Sequence, residues 1–280
     1  MTAGRGDSSA ILRILQSNDV PAALELSSEA GWNQTADDWE TLIQLAPQSC
    51  LAIEIDGELA ATTTLVCFGQ RLAWVGMVLT KVTYRGKGFA KRLLTHVLDY
   101  ADQAKIETVK LDATDQGQPL YEKMGFQIEQ PVERWVRQAS ATAKKTAIPS
   151  SELSGQDWHL TDQDAVGVNR SQLLDRLARF SAPLLGPKSF LLTRPGRRAT
   201  YLGPCVSTDE AAARHLVEFA VEAQPSRDWY WDLLPSNTAA VSIARGLGFT
   251  PVRHLLRMAR GKDLHANDEL VYAIAGFELG

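Results

Sequence analysis

The 280-residue sequence predicts a mixed α/β protein in which one structural unit is used twice. Two stretches point to it first: LYEKMGFQ (120–127) and IARGLGFT (243–250) each read as a helical end, a hydrophobe-Gly-Phe and the start of a strand, with Gly125 and Gly248 123 positions apart (248 − 125). Around them, the order strand, loop, helix, strand, short helix, Gly-Phe, strand occurs twice. Between the two runs lies ASATAKKTAIPSSELSG (139–155), small, polar and Pro/Ser-rich, which reads as a linker. A repeat this long implies duplicated domains and not a solenoid. The expected division is 1–138, a linker at 139–155 and a second domain at 156–280.

The elements follow in order. Asp19 is placed to cap a helix entered through Pro21 and ending near Gly31. Thr35 followed by Asp38 is a loose capping box for a helix carrying Trp39, Leu42, Ile43 and Leu45. LAIEIDGELAATTTLV reads as two alternating strands about an Asp56-Gly57 turn. LAWVGMVLT (72–80) is apolar enough for the centre of a sheet. After the loop KVTYRGKG, apolar residues at 89, 93, 94, 97, 98, 100 and 101 form a helical stripe. ETVKLDAT is a strand, Pro119 to Lys123 a short helix, and FQIEQPVERWVRQ one or two strands broken at Pro131. In the second half RSQLLDRLARF is a helix, and SFLLTR and RATYLGPCVS form a hairpin. DEAAARHLVEFAVEA is a helix, DWYWDLL a strand, NTAAVSIARGLG a helix and FTPVRHLLRMAR a strand, before the closing ELVYAIAGFEL.

Composition excludes several classes. At 45% hydrophobic and 22% charged, the chain can bury real cores. A net charge of −4 argues against a broad nucleic-acid footprint. The three cysteines, Cys50, Cys67 and Cys205, are odd in number and far apart, giving neither a disulfide framework nor a metal spacing, so a reducing cytoplasm and no metal are expected. The N-terminal MTAGRGDSSAILRIL lacks the apolar core of a signal peptide, and no apolar run approaches the ~18 residues of a membrane span.

The stretch YRGKGFA joins a central strand to a helix, where backbone N–H groups are unpaired and the helix dipole is positive. Gly86 and Gly88 let backbone approach a ligand closely, and Arg85, Lys87 and Lys91 add cations, which together suit a pyrophosphate. A Walker loop fails, because Lys81 replaces its first glycine and Gly88 its Ser or Thr. The dinucleotide fingerprint fails at Lys91. The pattern [RQ]-x-x-G-x-[GA] is met by Arg85, Gly88 and Ala90.

MVLTKVTYRGKGFAKRLL followed by PLYEKMGF resembles the GNAT superfamily of N-acetyltransferases over residues 10–138. The second half resembles a degenerate GNAT-like copy, so the resemblance implies tandem domains, each a mixed, mostly antiparallel sheet with flanking helices. It implies a fold in which two neighbouring parallel strands splay apart to admit the pantetheine of acetyl-CoA. Met77, Val78 and Leu79 would offer backbone groups to the pantetheine, and Arg85, Gly86, Lys87, Gly88, Phe89 and Ala90 would wrap the pyrophosphate. The Val78 N–H would stabilise the oxyanion, and Tyr121, four before Gly125, would return a proton to the thiolate. Asp112 is a weak candidate for general base, an ordinary strand-end role being at least as good a reading. AGWNQTADDW would border the acceptor, with Trp32, Asn33 and Gln34 lining it, while Trp39 is better read as core.

The second copy lacks the machinery. WVGMVLT (74–80) aligns with YLGPCVS (201–207), and from Thr80 to Ala90 is ten steps where Ser207 to Ala212 is five, so the phosphate loop is missing. Asp209 and Glu210 stand at that helix start and would repel phosphate. Ala244 replaces Tyr121. Asn237 reads as a helix N-cap. The expected function is an acyl-CoA-dependent N-acyltransferase acting on a small amine, as a monomer or homodimer. The alternatives are a protein or peptide N-acetyltransferase and a non-catalytic acetyl-CoA sensor.

Overall fold

A computed structural model describes residues 10–139, 157–264 and 266–280. Past Ala139, the expected linker lies outside them. The chain forms two compact units, and these do not follow the two halves of the sequence.

One unit comprises Val75–Ala104 with the described residues before it up to Val66. It holds strand β1 (Ile11–Ile14), helices α1 (Val20–Glu29) and α2 (Ala36–Leu45), and strands β2 (Cys50–Ile55) and β3 (Glu58–Phe68) up to Val66. Strand β4 (Leu72–Thr80) enters it at Val75, and helix α3 (Phe89–Gln103) completes it. β1 pairs antiparallel with β2, and β2 with β3. The hairpin between β2 and β3 turns at Asp56 (φ +51°) and Gly57 (φ +80°), both left-handed as a two-residue primed turn requires. The capping box of α2 forms as expected: Thr35 Oγ1 accepts from the Asp38 N–H at 3.2 Å, and the Asp38 carboxylate accepts from the Thr35 N–H at 2.7 Å. α1 begins after Asp19, yet the Asp19 carboxylate does not bond to the helix. It accepts instead from Arg13 at 2.7 and 2.8 Å and from the Gln16 N–H at 2.8 Å. α3 buries Leu93, Leu94, Val97, Leu98 and Ala101 from the expected stripe and packs on β2, while Tyr100 stays exposed. Each such leucine contributes about 2 kcal/mol.

The other unit comprises Cys67–Trp74 and Lys105–Gly280. It contains β5 (Thr108–Ala113), α4 (Gln118–Lys123), β6 (Gln127–Arg137), α5 (Trp158–Val166), α6 (Ser171–Leu177), β7 (Leu184–Gly186) and β8 (Ser189–Arg194). After these come β9 (Thr200–Ser207), α7 (Glu210–Ala223), β10 (Trp229–Leu233), α8 (Thr238–Gly246), β11 (Thr250–Gly261) and β12 (Val271–Ala273). Leu72–Trp74 of β4 pair in parallel with Thr108–Lys110 of β5. Beyond β5 the strand order is β11, β6, β10, β9, β8, β7, with β12 on β9.

That order is a reciprocal strand exchange. β11, from the second half of the chain, lies between β5 and β6 of the first. β6 in turn lies between β11 and β10. Hydrophobic alternation assigns the faces of a strand but not its neighbours, so the sequence did not show this. The expected break at Pro131 is absent, and β6 is continuous. Its pairing with β10 covers only Glu133–Arg137, so the N–H that Pro131 lacks faces no β10 partner. Trp229 and Trp231 sit fully buried among Val217, Ile243 and Phe249, with Tyr230 on the opposite, half-buried face.

Candidate active site

The loop after β4 is anchored before it is shaped. Glu58 on β3 accepts from Tyr84 Oη at 2.7 Å and from Lys81 Nζ, fixing the 3₁₀ turn Val82–Tyr84. Gly86 (φ +77°) and Gly88 (φ +80°) are then left-handed, and a Cβ built on either meets nothing within 4 Å. Conformation, not crowding, therefore demands glycine, and open space faces the loop. Gly88 is the N-cap of α3 and supplies no side-chain acceptor. No acidic residue occupies the first turn. Arg85 and Lys87 are exposed around this uncapped helix start, Arg85 Nε donating to the Thr80 carbonyl at 3.2 Å and Lys87 Nζ lying 4.9 Å from the Tyr84 ring centre. Phe89 and Ala90 are half-buried in the first turn.

On β4, Met77 takes φ +50°, an uncommon value for a residue with a side chain. Two hydroxyls from β3 hold the backbone there: Thr62 Oγ1 donates to the Met77 carbonyl at 2.8 Å and Thr63 Oγ1 to the Gly76 carbonyl at 3.4 Å. Met77 and Leu79 are buried and Val78 is half-buried. Such a non-glycine outlier persists only where the surrounding structure over-determines it. Neither it nor the two threonines carried a sequence signal beyond the run TTT.

Tyr121 lies in α4, buried, with its ring edge-on to Phe126 at 6.1 Å. Burial pushes its phenol up to about 12. A Cβ on Gly117 would stand 2.8 Å from Tyr121 Cε2, so Gly117, four positions earlier, leaves room for the ring. That four-residue spacing is legible in the sequence.

Asp112 is placed differently from a base. Its side chain is fully buried, and its two oxygens accept from Arg257 Nε at 2.9 Å and Nη2 at 3.1 Å. Burial pushes the carboxyl up, and Arg257 opposes that rise. The same arrangement recurs at Asp232, which accepts from Arg134 Nε at 2.7 Å and Nη2 at 2.6 Å. Both arginines stand eight residues after a Gly-Phe phenylalanine, Phe126 or Phe249. A pair duplicated with the fold fits the strand-end reading of Asp112 that the sequence already offered beside the weak general-base one.

Between α1 and α2, Asn33 and Gln34 are buried and Trp32 is half-buried, its N–H donating to the Ser27 carbonyl at 2.9 Å. Trp39 is core, with Nε1 donating to Ser27 Oγ at 3.2 Å.

Residues 18–126 match the family model described as the acetyltransferase (GNAT) family, and residues 159–273 match one described as an acetyltransferase (GNAT) domain. The chain belongs to the GNAT acetyltransferases, with two GNAT domains in tandem. It is 28% identical over 171 residues to a protein of Bacillus subtilis (strain 168) named uncharacterized N-acetyltransferase YitH, the match covering 60% of each chain. It is 24% identical over 265 residues to the holothin acyltransferase of Pseudoalteromonas sp. (strain SANK 73390), covering 89% of this chain and 87% of that one. In fold it is similar to the crystal structure of a putative acetyltransferase from Pyrococcus horikoshii, with a TM-score of 0.84 at 19% identity over 100% of this chain and 99% of the other.

The second GNAT domain differs from the first at its helix start, and its two parallel strands are met at their ends by a later segment of the chain. α7 starts at Asp209, whose carboxylate accepts from the Ala212 N–H at 2.8 Å, and Glu210 fills its first turn. Its two parallel strands, β9 and β10, pair only at Thr200–Leu202 against Trp229–Trp231. Beyond that the chain's own segment 271–274 is wedged at their ends. β12 pairs with Cys205 and Val206, the Ile274 N–H donates to the Asp232 carbonyl at 2.9 Å, and Trp231 Nε1 donates to the Tyr272 carbonyl at 2.8 Å. Gly203 (φ +139°) permits the passage, since a Cβ there would collide with the Ile274 carbonyl. Asn237 caps α8 through the Ala240 N–H at 3.0 Å and donates to the Glu269 and Val271 carbonyls at 2.9 and 3.0 Å. Its amide is therefore engaged in holding the wedge.

Proposed function

We propose that this GNAT protein is an acyl-CoA-dependent N-acyltransferase whose first domain transfers acetyl from acetyl-CoA to the amine of a small molecule. The contrast between two helix starts carries the reading. α3 begins with left-handed glycines, cations and no cap, and suits a pyrophosphate. α7 begins with a carboxylate that already accepts from the Ala212 N–H. The open space at Gly86 and Gly88 supports a loop whose backbone a ligand can approach.

In this reading Arg85 to Ala90 bind the pyrophosphate, and the backbone of Met77 to Leu79 receives the pantetheine. The Val78 N–H faces the oxygen on which charge develops. The amine nitrogen attacks the thioester carbonyl carbon, the C–S bond breaks, and Tyr121 gives its proton to the leaving thiolate. The proton lost by the amine passes through water and restores the phenol. A phenol held at about 12 keeps its proton at neutral pH, as a donor must. Asp112, engaged by Arg257, is not assigned a part. Trp32, Asn33 and Gln34 form the acceptor wall, their buried amides favouring a compact polar amine. The relative named as an acyltransferase over 87% of its length supports acyl transfer.

Release of free thiol from acetyl-CoA, followed over a panel of small amines, amino acids and peptides, tests it. Turnover with a small amine is expected. Turnover with peptides alone would replace the small acceptor by a protein one.

A further inference from the structure

We infer that Arg257, supplied by the second GNAT domain, is a positioning residue for the donor site of the first. The inference rests on the donor-site reading above. Arg257 is on β11, the strand exchanged between β5 and β6. Its guanidinium grips Asp112 on β5 with two hydrogen bonds and lies 4.7 Å from the centre of the Trp74 ring on β4. Trp74 and β5 meet in the parallel pairing, Trp74 standing opposite Lys110. The Trp74 indole is also hydrogen-bonded, Nε1 donating to the Phe277 carbonyl at 2.9 Å. One planar cation thus ties β5 to the Leu72–Trp74 end of β4, and Trp74 lies four residues before Val78 on the same strand. A bidentate guanidinium fixes distance and angle in a way a point charge does not. Donor positioning is sensitive to displacements of about 1 Å.

The second domain holds the counterpart. Arg134 grips Asp232 in the same bidentate way and lies 5.3 Å from the ring of Tyr201, the residue aligned with Trp74. Both arginines are buried, both carboxylates are buried, and both clamps join a strand of one domain to the other. Only the Arg257 clamp serves a domain with a phosphate loop. The second clamp therefore serves as a comparison, Arg134 also lying 4.6 Å from the ring of Phe277.

Full-length Arg257→Gln and Arg134→Gln are compared by thermal melting and by titration with acetyl-CoA. Both are expected to lower Tm to a similar extent. Arg257→Gln is expected to weaken acetyl-CoA binding about fivefold or more, while Arg134→Gln stays within about twofold of the unmodified protein. Equal weakening in the two, or none in Arg257→Gln, overturns the inference while leaving the donor-site reading intact. Failure of the unmodified protein to bind acetyl-CoA overturns both. If either glutamine variant does not fold, Trp74→Phe and Tyr201→Phe replace the pair, with affinity expected to fall in Trp74→Phe alone. Equal behaviour of these two also overturns the inference.

Discussion

Tyr121, the proposed proton donor, owes its raised phenol to burial alone. The ring packs on Phe126 in space left by Gly117, and low polarity around it holds the phenol at about 12 against an ordinary 10.0. Tyr121→Phe is expected to leave acetyl-CoA affinity within about twofold and to cut turnover about 100-fold, the scale of general-acid catalysis. Unchanged turnover would remove Tyr121 from its role. The raised value has a sign for stability too. A folded-state pKa above the unfolded one means that the folded protein holds the proton more tightly. The contribution is full below about pH 10 and is lost as pH rises from about 10 towards about 12. Chemical denaturation across that window should show a steeper loss for the unmodified protein than for Tyr121→Phe. Tyr121 was legible in the sequence through its distance from Gly125. The strained Met77 and its threonine partners were not, because backbone conformation at a non-glycine residue leaves no mark on composition.

Single elements were the most readable scale. The capping box at Thr35, the Asp56-Gly57 turn and the buried stripe of α3 depend on neighbours in sequence, and each formed as its residues dictate. The Asp19 cap did not, because Arg13 and the Gln16 N–H take its carboxylate and a charged partner outcompetes a cap. At this scale the two helix starts differ, α3 beginning at a left-handed glycine and α7 at a capping aspartate. Gly88→Ala forces a Cβ into a left-handed residue, at a cost of about 1 kcal/mol, and is expected to weaken acetyl-CoA binding about tenfold. Asp209→Ala is expected to cost about 1 kcal/mol through the lost cap with no change in that binding. A denaturation curve and an acetyl-CoA titration on each variant check both statements.

For the whole molecule, duplication was legible and the exchange of strands was not. The hint lay in the equal spacing from Phe126 to Arg134 and from Phe249 to Arg257, together with Asp112 and Asp232 at matching places on β5 and β10. Local periodicity cannot say that each arginine meets the carboxylate of the other copy. A chain cut to residues 1–138 would leave β5 and β6 without β11 and strand Asp112 and Arg134 without their partners. It is expected to show no cooperative melt, and a cooperative transition by circular dichroism would contradict the exchange. If the loop after β4 is the donor's, one donor site per chain is expected, since α7 has no such loop. Calorimetric titration of the full-length protein with acetyl-CoA tests this most directly. One site per chain, severely weakened in the Arg85→Ala, Gly88→Ala double variant, is the expected result. No binding, or two equivalent sites, would contradict it.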